Sequence, residues 1–400
     1  MSTKIKYKPI RVAILQRFCT AYRVALFRKL SLQKELRVKL LIGENLSGGK
    51  ARTSADLSGI DVEQLPTRWL KLGGRYLPDH KGLLNALSNY NPDVILCEGE
   101  SNALNNIKIL FYRRRHPYIG LVHWSLGEMP GIAVKYRGFK GMLKRMVRNR
   151  FDSYIVYSSY GRNALVKLGH KPEKIFVAVN VGDTSKHLNT AGKLRQTQIE
   201  ARQELNLPNR FTVTYVGAIT PNKRLDKLIL AAAMLAERDY TFILAGDGPI
   251  LSELRSLADK HHLHNIITPG RITQKLPLYY RASDVSVLPG RGGIVISEAM
   301  AYSLPVIVYQ ADGTEYDLVQ DGINGIRLTR GDPEEIAEAL ESLRKNPERT
   351  RNLGAAGNRL LREKYLQENM VLQITEAIKA VSRRADLANT MTDRSTSLSE

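Results

Sequence analysis

Short apolar runs rich in Val and Ile alternate along the chain with longer stretches in which apolar residues recur at helical spacing. In residues 1–200 these runs lie at positions 11–15, 37–42, 94–97, 118–124, 153–158 and 174–179. In residues 201–400 they lie at positions 212–217, 240–245, 266–269, 285–288, 306–308 and 325–328. Such runs are typical of parallel strands whose two faces are covered by the connecting helices. The pattern predicts an α/β fold of two doubly wound, Rossmann-like domains.

The domain boundaries follow from changes in polarity. Residues 184–204 are polar and predict a linker that leads into a helix. We therefore expect an N-terminal domain at 1–183 and a C-terminal domain at 205–365. We expect residues 366–381 to form a C-terminal helix that packs back on the N-terminal domain. Residues 382–400 offer little apolar surface to bury, which predicts a disordered tail.

The basic residues are unevenly distributed between the two halves. The chain has 60 Lys and Arg against 39 Asp and Glu, a net charge of +21. Residues 1–200 contain 35 basic and 14 acidic side chains, whereas residues 201–400 contain 25 of each. The first half is therefore expected to face a polyanion, and nucleic acid, an anionic membrane or a phosphorylated substrate are the candidates.

Composition excludes several classes of protein. No apolar run approaches the ~20 residues that cross a bilayer, and the first residues do not resemble a secretory signal. Cys19 and Cys97 are the two cysteines, which leaves no disulfide framework and no cysteine-based metal site. We expect a protein of the reducing cytoplasm.

Standard phosphate-binding signatures are also missing. Lys50 is followed by Ala51 where a Walker loop needs Ser or Thr, and Leu251 stands where the dinucleotide fingerprint needs its third glycine. The sequence has no Asp-x-Asp pair to hold a divalent metal on a nucleoside diphosphate. Phosphate chemistry in this chain is expected to need no metal and no cofactor.

The segment LPGRGGIVISEAMAYSLPVIV, residues 288–308, has the outline of an anion site. A strand ends, Gly290, Gly292 and Gly293 form a loop, and a helix opens at about Ile294. Free backbone N–H groups and the positive end of a helix can hold a diphosphate. Glu298, one turn later, could accept hydrogen bonds from ribose hydroxyls. The alternative is an ordinary helix start with a surface glutamate.

Sequence blocks across the second half resemble one enzyme family. They are TYVGAITPNKRLDKLI (214–229), ILAGDGP (243–249), ITPGRI (267–272), LYYRASDVSVLP (278–289), SEAMAYSLPVIV (297–308) and DLVQDGINGIRL (317–328). In this order they resemble the retaining nucleotide-sugar glycosyltransferases of family four, the group 1 glycosyl transferases. Residues 150–183 are similar to the end of that family's first domain. The resemblance implies a GT-B fold, in which two Rossmann-like domains face a central cleft.

The resemblance also implies site residues. The nucleotide sugar would lie on the second domain, with Lys223 on the diphosphate and Glu298 on the ribose. The donor-binding positions that it implies are Gly217, Lys223, Arg224, Gly246, Arg271, Ile272, Arg291, Gly293, Ile294, Val295 and Glu298. Without a metal, cations and backbone donors must stabilise the charge that develops on the departing diphosphate.

Two positions depart from the family pattern. Ala218 stands where the family often has Arg, and Gly290 stands where it has the first of two glutamates eight residues apart. Arg224 is a candidate replacement for the missing cation, and Arg291 for a contact to the sugar. These departures place the identity of the sugar and the rate of transfer in question.

In the first domain three polar residues follow or end predicted strands. His123 matches a histidine that family members present to the sugar, or else is a packed core histidine. Glu98 and Glu100 are acceptor-side candidates that orient an acceptor hydroxyl or cap the next helix.

A basic amphipathic helix is predicted at residues 135–150. Its cations are Lys135, Arg137, Lys140, Lys144, Arg145, Arg148 and Arg150. Its apolar residues recur at helical spacing, as in a helix that lies on an anionic membrane surface. The alternative is a helix that packs its apolar side on its own sheet, with the cations in water. Nucleic acid is the least expected partner, because no recognition motif accompanies the charge.

Together these features predict a hexosyltransferase-like enzyme that moves a sugar from a nucleotide sugar to a glycan or lipid-linked acceptor. Retention is implied by the resemblance, and the expected context is cell-surface polysaccharide or glycolipid synthesis at the inner face of the plasma membrane. The alternatives are an inactive binding or scaffold subunit with the same fold and a nucleotide-sugar epimerase.

Overall fold

The computed structural model describes residues 8–46, 53–54, 56–72, 75–130 and 139–396. The first domain is built on a seven-stranded sheet with helices on both faces. Its elements in chain order are β1 (Ile10–Gln16), α1 (Ala21–Ser31), β2 (Leu36–Gly43), β3 (Val62–Leu65), β4 (Thr67–Leu72), β5 (Arg75–His80), α2 (Leu83–Tyr90), β6 (Val94–Glu98), α3 (Ala103–Arg115), β7 (Gly120–Ser125), α4 (Phe139–Arg148), β8 (Ser153–Val156), α5 (Ser159–Lys167) and β9 (Ile175–Val177).

The second domain is built on a six-stranded sheet. The connection from the first domain and the remaining elements are α6 (Thr184–Lys193), α7 (Gln198–Glu204), β10 (Phe211–Val216), α8 (Leu225–Ala233), β11 (Tyr240–Ala245), α9 (Leu251–Lys260), β12 (Ile266–Gly270), α10 (Leu276–Ala282), β13 (Val285–Leu288), α11 (Ile294–Ala301), β14 (Val306–Val308), α12 (Glu315–Leu318), β15 (Gly325–Arg327), α13 (Pro333–Arg344), α14 (Pro347–Lys364) and α15 (Gln367–Thr396).

Strand order places the ligand crevices. The sheets run β3–β2–β1–β6–β7–β8–β9 and β12–β11–β10–β13–β14–β15, and neighbouring strands are parallel. In each sheet the chain reverses its direction of winding once, between β1 and β6 and between β10 and β13. Loops diverge at such a point and leave a crevice at the carboxyl ends of the strands.

Each apolar run of the sequence forms a strand, and the two doubly wound domains are present as predicted. The sequence missed β3 and the antiparallel pair β4 and β5. These segments, VEQL, TRWLKL and RYLPDH, mix charged residues and a proline with their apolar residues. They belong to a sheet edge or a separate hairpin, where strands need not be buried on both faces.

The predicted linker is ordered and mostly helical. Residues 184–204 contain α6 and α7, and α7 opens with a capping box in which Thr197 and Glu200 bond each other's backbone N–H. Nearby, two hydrogen bonds join the domains: Gly182 N–H donates to the Ser297 hydroxyl at 3.2 Å, and Ser159 N–H donates to the Asp317 carboxylate at 2.8 Å.

The last helix crosses back onto the first domain. Met370, Ile374, Ala377 and Ile378 of α15 are at most 3% exposed and belong to the core that covers one face of the first sheet. The backbone of α15 is helical as far as Thr396. Within the described ranges no helix combines the length and apolar character that a bilayer crossing requires.

Candidate functional site

The glycine loop and Lys223 meet at the crevice between β10 and β13. Gly293 is the N-cap of α11, and the preceding loop follows the end of β13 directly. The Lys223 ammonium donates a hydrogen bond to the carbonyl of Arg291, which holds the lysine across the loop. Burial lowers the pKa of Lys223, and the nearby Asp312 carboxylate opposes that shift. A cation and the N-terminal N–H groups of a helix therefore share one crevice, as a diphosphate site requires.

The close packing of this loop depends on its glycines. A Cβ at Gly290 would lie 2.5 Å from the carbonyl oxygen of Asn222 and 2.7 Å from the carbonyl carbon of Lys223. A Cβ at Gly293 would lie 1.9 Å from the hydroxyl of Thr314. The backbone around position 290 therefore leaves no space for a side chain, which agrees with the absence of the family's glutamate at this position.

Glu298 lies one turn into α11 in a pocket made by three ring side chains. Tyr280 donates its hydroxyl to the Glu298 carboxylate at 3.2 Å, and His187 Nε2 lies 3.7 Å from the other oxygen. Tyr302 stacks on Tyr280 with ring centroids 4.9 Å apart. Burial raises the pKa of Glu298 to about 7, and the Tyr280 hydrogen bond only partly offsets it. A Cβ at Gly182 would lie 3.5 Å from a Glu298 oxygen, so the connection between the domains passes directly over this carboxylate.

The other donor-side positions of β10 and β11 lie at the same edge of the sheet. Gly246 packs against the backbone of Gly217, and a Cβ on Gly246 would lie 1.8 Å from the Gly217 carbonyl oxygen. Arg224 adopts a left-handed conformation, φ 53°, and its guanidinium lies 5.0 Å from the ring centre of Tyr309. Arg224, the candidate replacement for the cation missing at position 218, thus stacks on the ring of Tyr309, directly after β14.

The remaining donor-side positions are less enclosed. Arg271 is exposed and Ile272 is half-buried directly after β12, at the far end of the same sheet edge. Arg291 is exposed, and its backbone N–H donates to the Asn222 carbonyl at 2.9 Å. Ile294 and Val295 are half-buried in the first turn of α11, where backbone N–H groups have no partner within the helix.

His123 lies inside the first domain. It is 3% exposed, and its ring packs against Phe151 and Tyr154 with centroids 5.0 Å and 6.1 Å apart. Its ring does not line the cavity between the domains described below. The ring thus packs among aromatic side chains, and its Cε1 lies 3.2 Å from where a Cβ on Gly99 would be, next to the cavity that Gly99 and Ser125 line. A contact of His123 with the sugar stays a prediction.

Glu98 forms an ion pair at the crevice between β1 and β6. Its carboxylate accepts from the Arg17 backbone N–H at 2.8 Å and from the guanidinium at 2.9 Å, and Ser101 donates to it at 3.1 Å. Glu98 therefore does not cap a helix. The side chain of Glu100 lies outside the described residues, and its backbone begins the single turn that precedes α3.

A cavity of about 390 Å³ opens at this edge of the first domain. It is lined by Gln16, Glu98 and Trp124 at strand ends, by Arg23 of α1, and by Asp312 of the second domain. No sequence pattern singled out Arg23 or Asp312, because both lie at this cavity beside residues that are distant in the sequence. The general signal that applies here is that ligands bind beyond the carboxyl ends of parallel strands.

The basic segment is only partly described. Residues 131–138, with Lys135 and Arg137, and the side chains of Lys140 and Lys144 lie outside the described residues. Arg145 and Arg150 are exposed, as are Met142 and Met146 at 52% and 49%.

One cation of this segment departs from the prediction. Arg148 is 3% exposed, so it does not face solvent. It ends α4 against the core, and its backbone carbonyl accepts a hydrogen bond from the Tyr154 hydroxyl at 2.9 Å. Val147 packs inward against the same core. The helix thus buries one side while Met142 and Met146 project outward.

No group of three or more His, Cys, Asp and Glu side chains with metal-binding geometry occurs among the described residues. The crevice at the glycine loop contains Lys223, the first N–H groups of α11 and the carboxylates of Asp312 and Glu298.

Two family descriptions match successive parts of the chain. Residues 36–186 match Glycosyltransferase Family 4, and residues 197–360 match Glycosyl transferases group 1. The two ranges meet at the segment that joins the two domains.

Curated relatives are similar over part of the chain. The D-inositol 3-phosphate glycosyltransferase of Thermomonospora curvata is 28% identical over 251 residues, which cover 58% of this chain and 57% of that protein. The alpha-D-kanosaminyltransferase of Streptomyces kanamyceticus is 34% identical over 156 residues, which cover 37% of this chain and 40% of that protein. The matched regions therefore span about half the length of these relatives.

The whole described fold is similar to a solved structure. Anabaena HepE in complex with UDP aligns with a TM-score of 0.74 and 19% identity, and the alignment covers 93% of this chain and 100% of that chain. This likeness concerns the fold, which has two Rossmann-like domains around a cleft.

Proposed function

Because the chain belongs to the group 1 glycosyltransferases and has the GT-B fold, we propose that it transfers a glycosyl group from a nucleoside diphosphate sugar to a hydroxyl of a glycan or lipid-linked acceptor. The observation that carries this proposal is the junction of Lys223, the Gly290–Gly293 loop and Glu298 at one crevice. Lys223 and the first N–H groups of α11 hold the diphosphate, and Glu298 holds the ribose.

In this mechanism the protein stabilises the leaving group with fixed dipoles and one cation. As the bond between the sugar and the diphosphate breaks, negative charge grows on the outer phosphate. Lys223 is held at the loop by the Arg291 carbonyl, so that little reorganisation is needed when the charge appears. We extend the proposal to transfer without a metal and with retention of anomeric configuration. Unchanged turnover in excess EDTA supports the first point, and the proton NMR coupling of the product's anomeric centre tests the second.

The acceptor side is proposed to lie at a membrane surface. Support comes from the outward Met142 and Met146 and the exposed Arg145 and Arg150 on and beside α4. Cations near an anionic surface contribute ~1 kcal/mol each. Co-sedimentation with vesicles of phosphatidylglycerol and phosphatidylcholine tests this. Salt-sensitive binding that a Met142→Ser and Met146→Ser double variant weakens supports docking at the inner face of the plasma membrane, and absence of binding contradicts it.

The experiment for the activity is a panel of nucleotide sugars incubated with the protein and a membrane extract. Release of nucleoside diphosphate together with labelled, extractable product supports glycosyl transfer. Nucleotide binding without turnover across the panel favours the alternative of a binding or scaffold subunit, for which the absence of an acid at Gly290 is the supporting observation. An altered sugar nucleotide formed without any acceptor favours an epimerase.

A further inference from the structure

Asp312 is a carboxylate of the donor crevice to which the proposed function gives no role. It lies in the loop after β14, beside the glycine loop that follows the neighbouring strand β13. Its two carboxylate oxygens lie 2.5 and 3.0 Å from where a Cβ on Gly293 would be, so the carboxylate touches the N-cap of α11. Burial lowers the pKa of Lys223, and the charge of Asp312 opposes that shift. Asp312 therefore lies beside both groups that are proposed to hold the diphosphate.

The loop that carries Asp312 is fixed by a second carboxylate. Glu315 is fully buried and accepts hydrogen bonds from the backbone N–H groups of Ala311 at 3.1 Å and Gly313 at 2.8 Å. These two residues flank the aspartate in the chain. The Oδ1 atom of Asp312 accepts the Thr314 hydroxyl at 2.6 Å. The side chain is thus oriented before any ligand binds, which lowers the cost of binding.

The second oxygen of Asp312 is available to a ligand. Its Oδ2 atom accepts no hydrogen bond from any described residue, and it is open to solvent. Asp312 is a residue of the second domain, yet it lines the cavity at the carboxyl edge of the first sheet together with Glu98 and Ser125. It therefore lies where the donor crevice meets the proposed acceptor side.

A carboxylate at this place discriminates between the parts of a nucleotide sugar. An ionised carboxylate accepts hydrogen bonds and cannot donate them, and the same holds for ionised phosphate oxygens, so Asp312 repels the diphosphate. The sugar hydroxyls, by contrast, can donate to it. The sugar is bonded to the outer phosphate and has to reach the acceptor, so it lies between the crevice and the cavity, where Asp312 is.

We propose that Asp312 Oδ2 accepts a hydrogen bond from a hydroxyl of the transferred sugar and is a residue that determines sugar specificity. The inference rests on the proposed function, because it takes Lys223 and the glycine loop as the diphosphate site. It adds the group that recognises the sugar, on a face of the crevice where Gly290 has no side chain. A hydrogen bond to a charged acceptor is about twice as strong as a neutral one, so its loss is measurable.

One substitution separates the sugar from the diphosphate. Asp312→Asn keeps an oxygen for the Thr314 hydroxyl, but it removes the charge and turns the second oxygen into an amide group that cannot accept. Isothermal titration gives the Kd of UDP, GDP, ADP and dTDP for the wild type and the variant. The glucose, galactose and mannose esters of the nucleotide that binds most tightly are then titrated in the same way.

We expect Asp312→Asn to bind the preferred hexose ester about tenfold more weakly than the wild type does. The free nucleoside diphosphate should bind as tightly as before or more tightly, because a repulsive charge is removed. Asp259→Asn is the matched control: it removes the same charge from an exposed position on α9 and should leave both Kd values unchanged.

Monodeoxy derivatives of the preferred ester identify the hydroxyl. Each lacks one hydroxyl, at C2, C3, C4 or C6 of the hexose. One of them should bind the wild type about tenfold more weakly than the parent ester and show a smaller loss with Asp312→Asn. The wild-type part of this series does not depend on the folding of the variant.

Two results overturn the inference. Equal changes in the affinities for nucleotide and ester in Asp312→Asn would mean that the residue only shapes the loop. Equal binding of the parent and all monodeoxy esters to the wild type would mean that no sugar hydroxyl is recognised.

Transfer to acceptors in the membrane extract is measured on the same preparations. Ester binding that depends on Asp312, without any transfer, contradicts the proposed activity alone. Transfer that accompanies either of the two overturning results contradicts the inference alone, and absence of nucleotide binding to the wild type contradicts both.

Discussion

A side chain on Gly290 would collide with the main chain of Lys223, since its Cβ would come within 2.7 Å of the lysine carbonyl carbon. The phosphate-side lysine is thus positioned by the same packing that excludes an acid at position 290. The departure from the family pattern and the placement of the cation are therefore parts of one local arrangement.

Restoring a glutamate at this position should disrupt the site. We expect Gly290→Glu, and Gly290→Ala, to destabilise the protein and to weaken donor binding, because the backbone at residues 222 and 223 must move to admit the Cβ. The measurement is the thermal midpoint together with nucleotide titration. Gly192→Ala is the control: nothing lies within 4 Å of its added Cβ, and it is within α6, where alanine is favoured by about 0.5–1 kcal/mol. A Gly290→Glu variant with higher turnover would contradict this account.

Glu298 should make donor binding depend on pH. Burial raises its pKa to about 7, so the carboxyl is neutral below that pH and accepts fewer hydrogen bonds from ribose. We expect the KM for the donor to fall as pH rises through 7, and Glu298→Gln to show a raised KM with a flatter profile. A parallel profile in the variant would mean that another group titrates.

The same shift should lower stability at high pH. A carboxyl whose folded pKa lies above its unfolded value of 4.5 stabilises the fold fully below that value and loses this contribution as pH rises through 7. Glu298→Gln removes the titration. We therefore expect the thermal midpoint of the unligated variant, relative to the wild type, to be higher at pH 8 than at pH 5. An equal difference at both values would show that the folded carboxyl has no such shift.

Sequence patterns located the parts of the site that lie close together in the chain. The glycine loop, α11 and Glu298 form one strand–loop–helix unit, and periodicity with glycine spacing is enough to find such a unit. Arg17 and Glu98 are 81 residues apart, and Arg23 and Tyr157 are 134 apart. Which charges meet over such distances depends on strand order, which no local pattern encodes. His123 shows the related difficulty, because a ring on a strand can face the cleft or the core.

Lys223 should contribute mainly to turnover. Removing a cation that faces charge developing on a leaving group typically costs about 10²–10³ in rate. We expect Lys223→Ala to lower kcat/KM by a factor in this range, with the larger part in kcat. Lys260→Ala is the control, because that lysine is exposed at the end of α9. Equal kinetics for the two variants would remove Lys223 from the mechanism.

The last helix should act as a structural part of the first domain, although it follows the second in sequence. Ile378 of α15 is fully buried in the core beneath the first sheet, whereas Leu372 on the same helix is 53% exposed. Truncating a buried isoleucine to alanine costs about 2–5 kcal/mol, and surface changes usually stay within about 0.5 kcal/mol. We therefore expect Ile378→Ala, and not Leu372→Ala, to lower the urea midpoint of the transition reported by the fluorescence of Trp69 and Trp124, which both lie in the first domain. The helix α15 packs on the first domain, whereas the nucleotide is proposed to bind the second. If the Ile378→Ala variant keeps its nucleotide affinity at low urea while this unfolding transition shifts, the lost stability belongs to the first domain. An equal, small effect of both substitutions would mean that the helix is not held by this core.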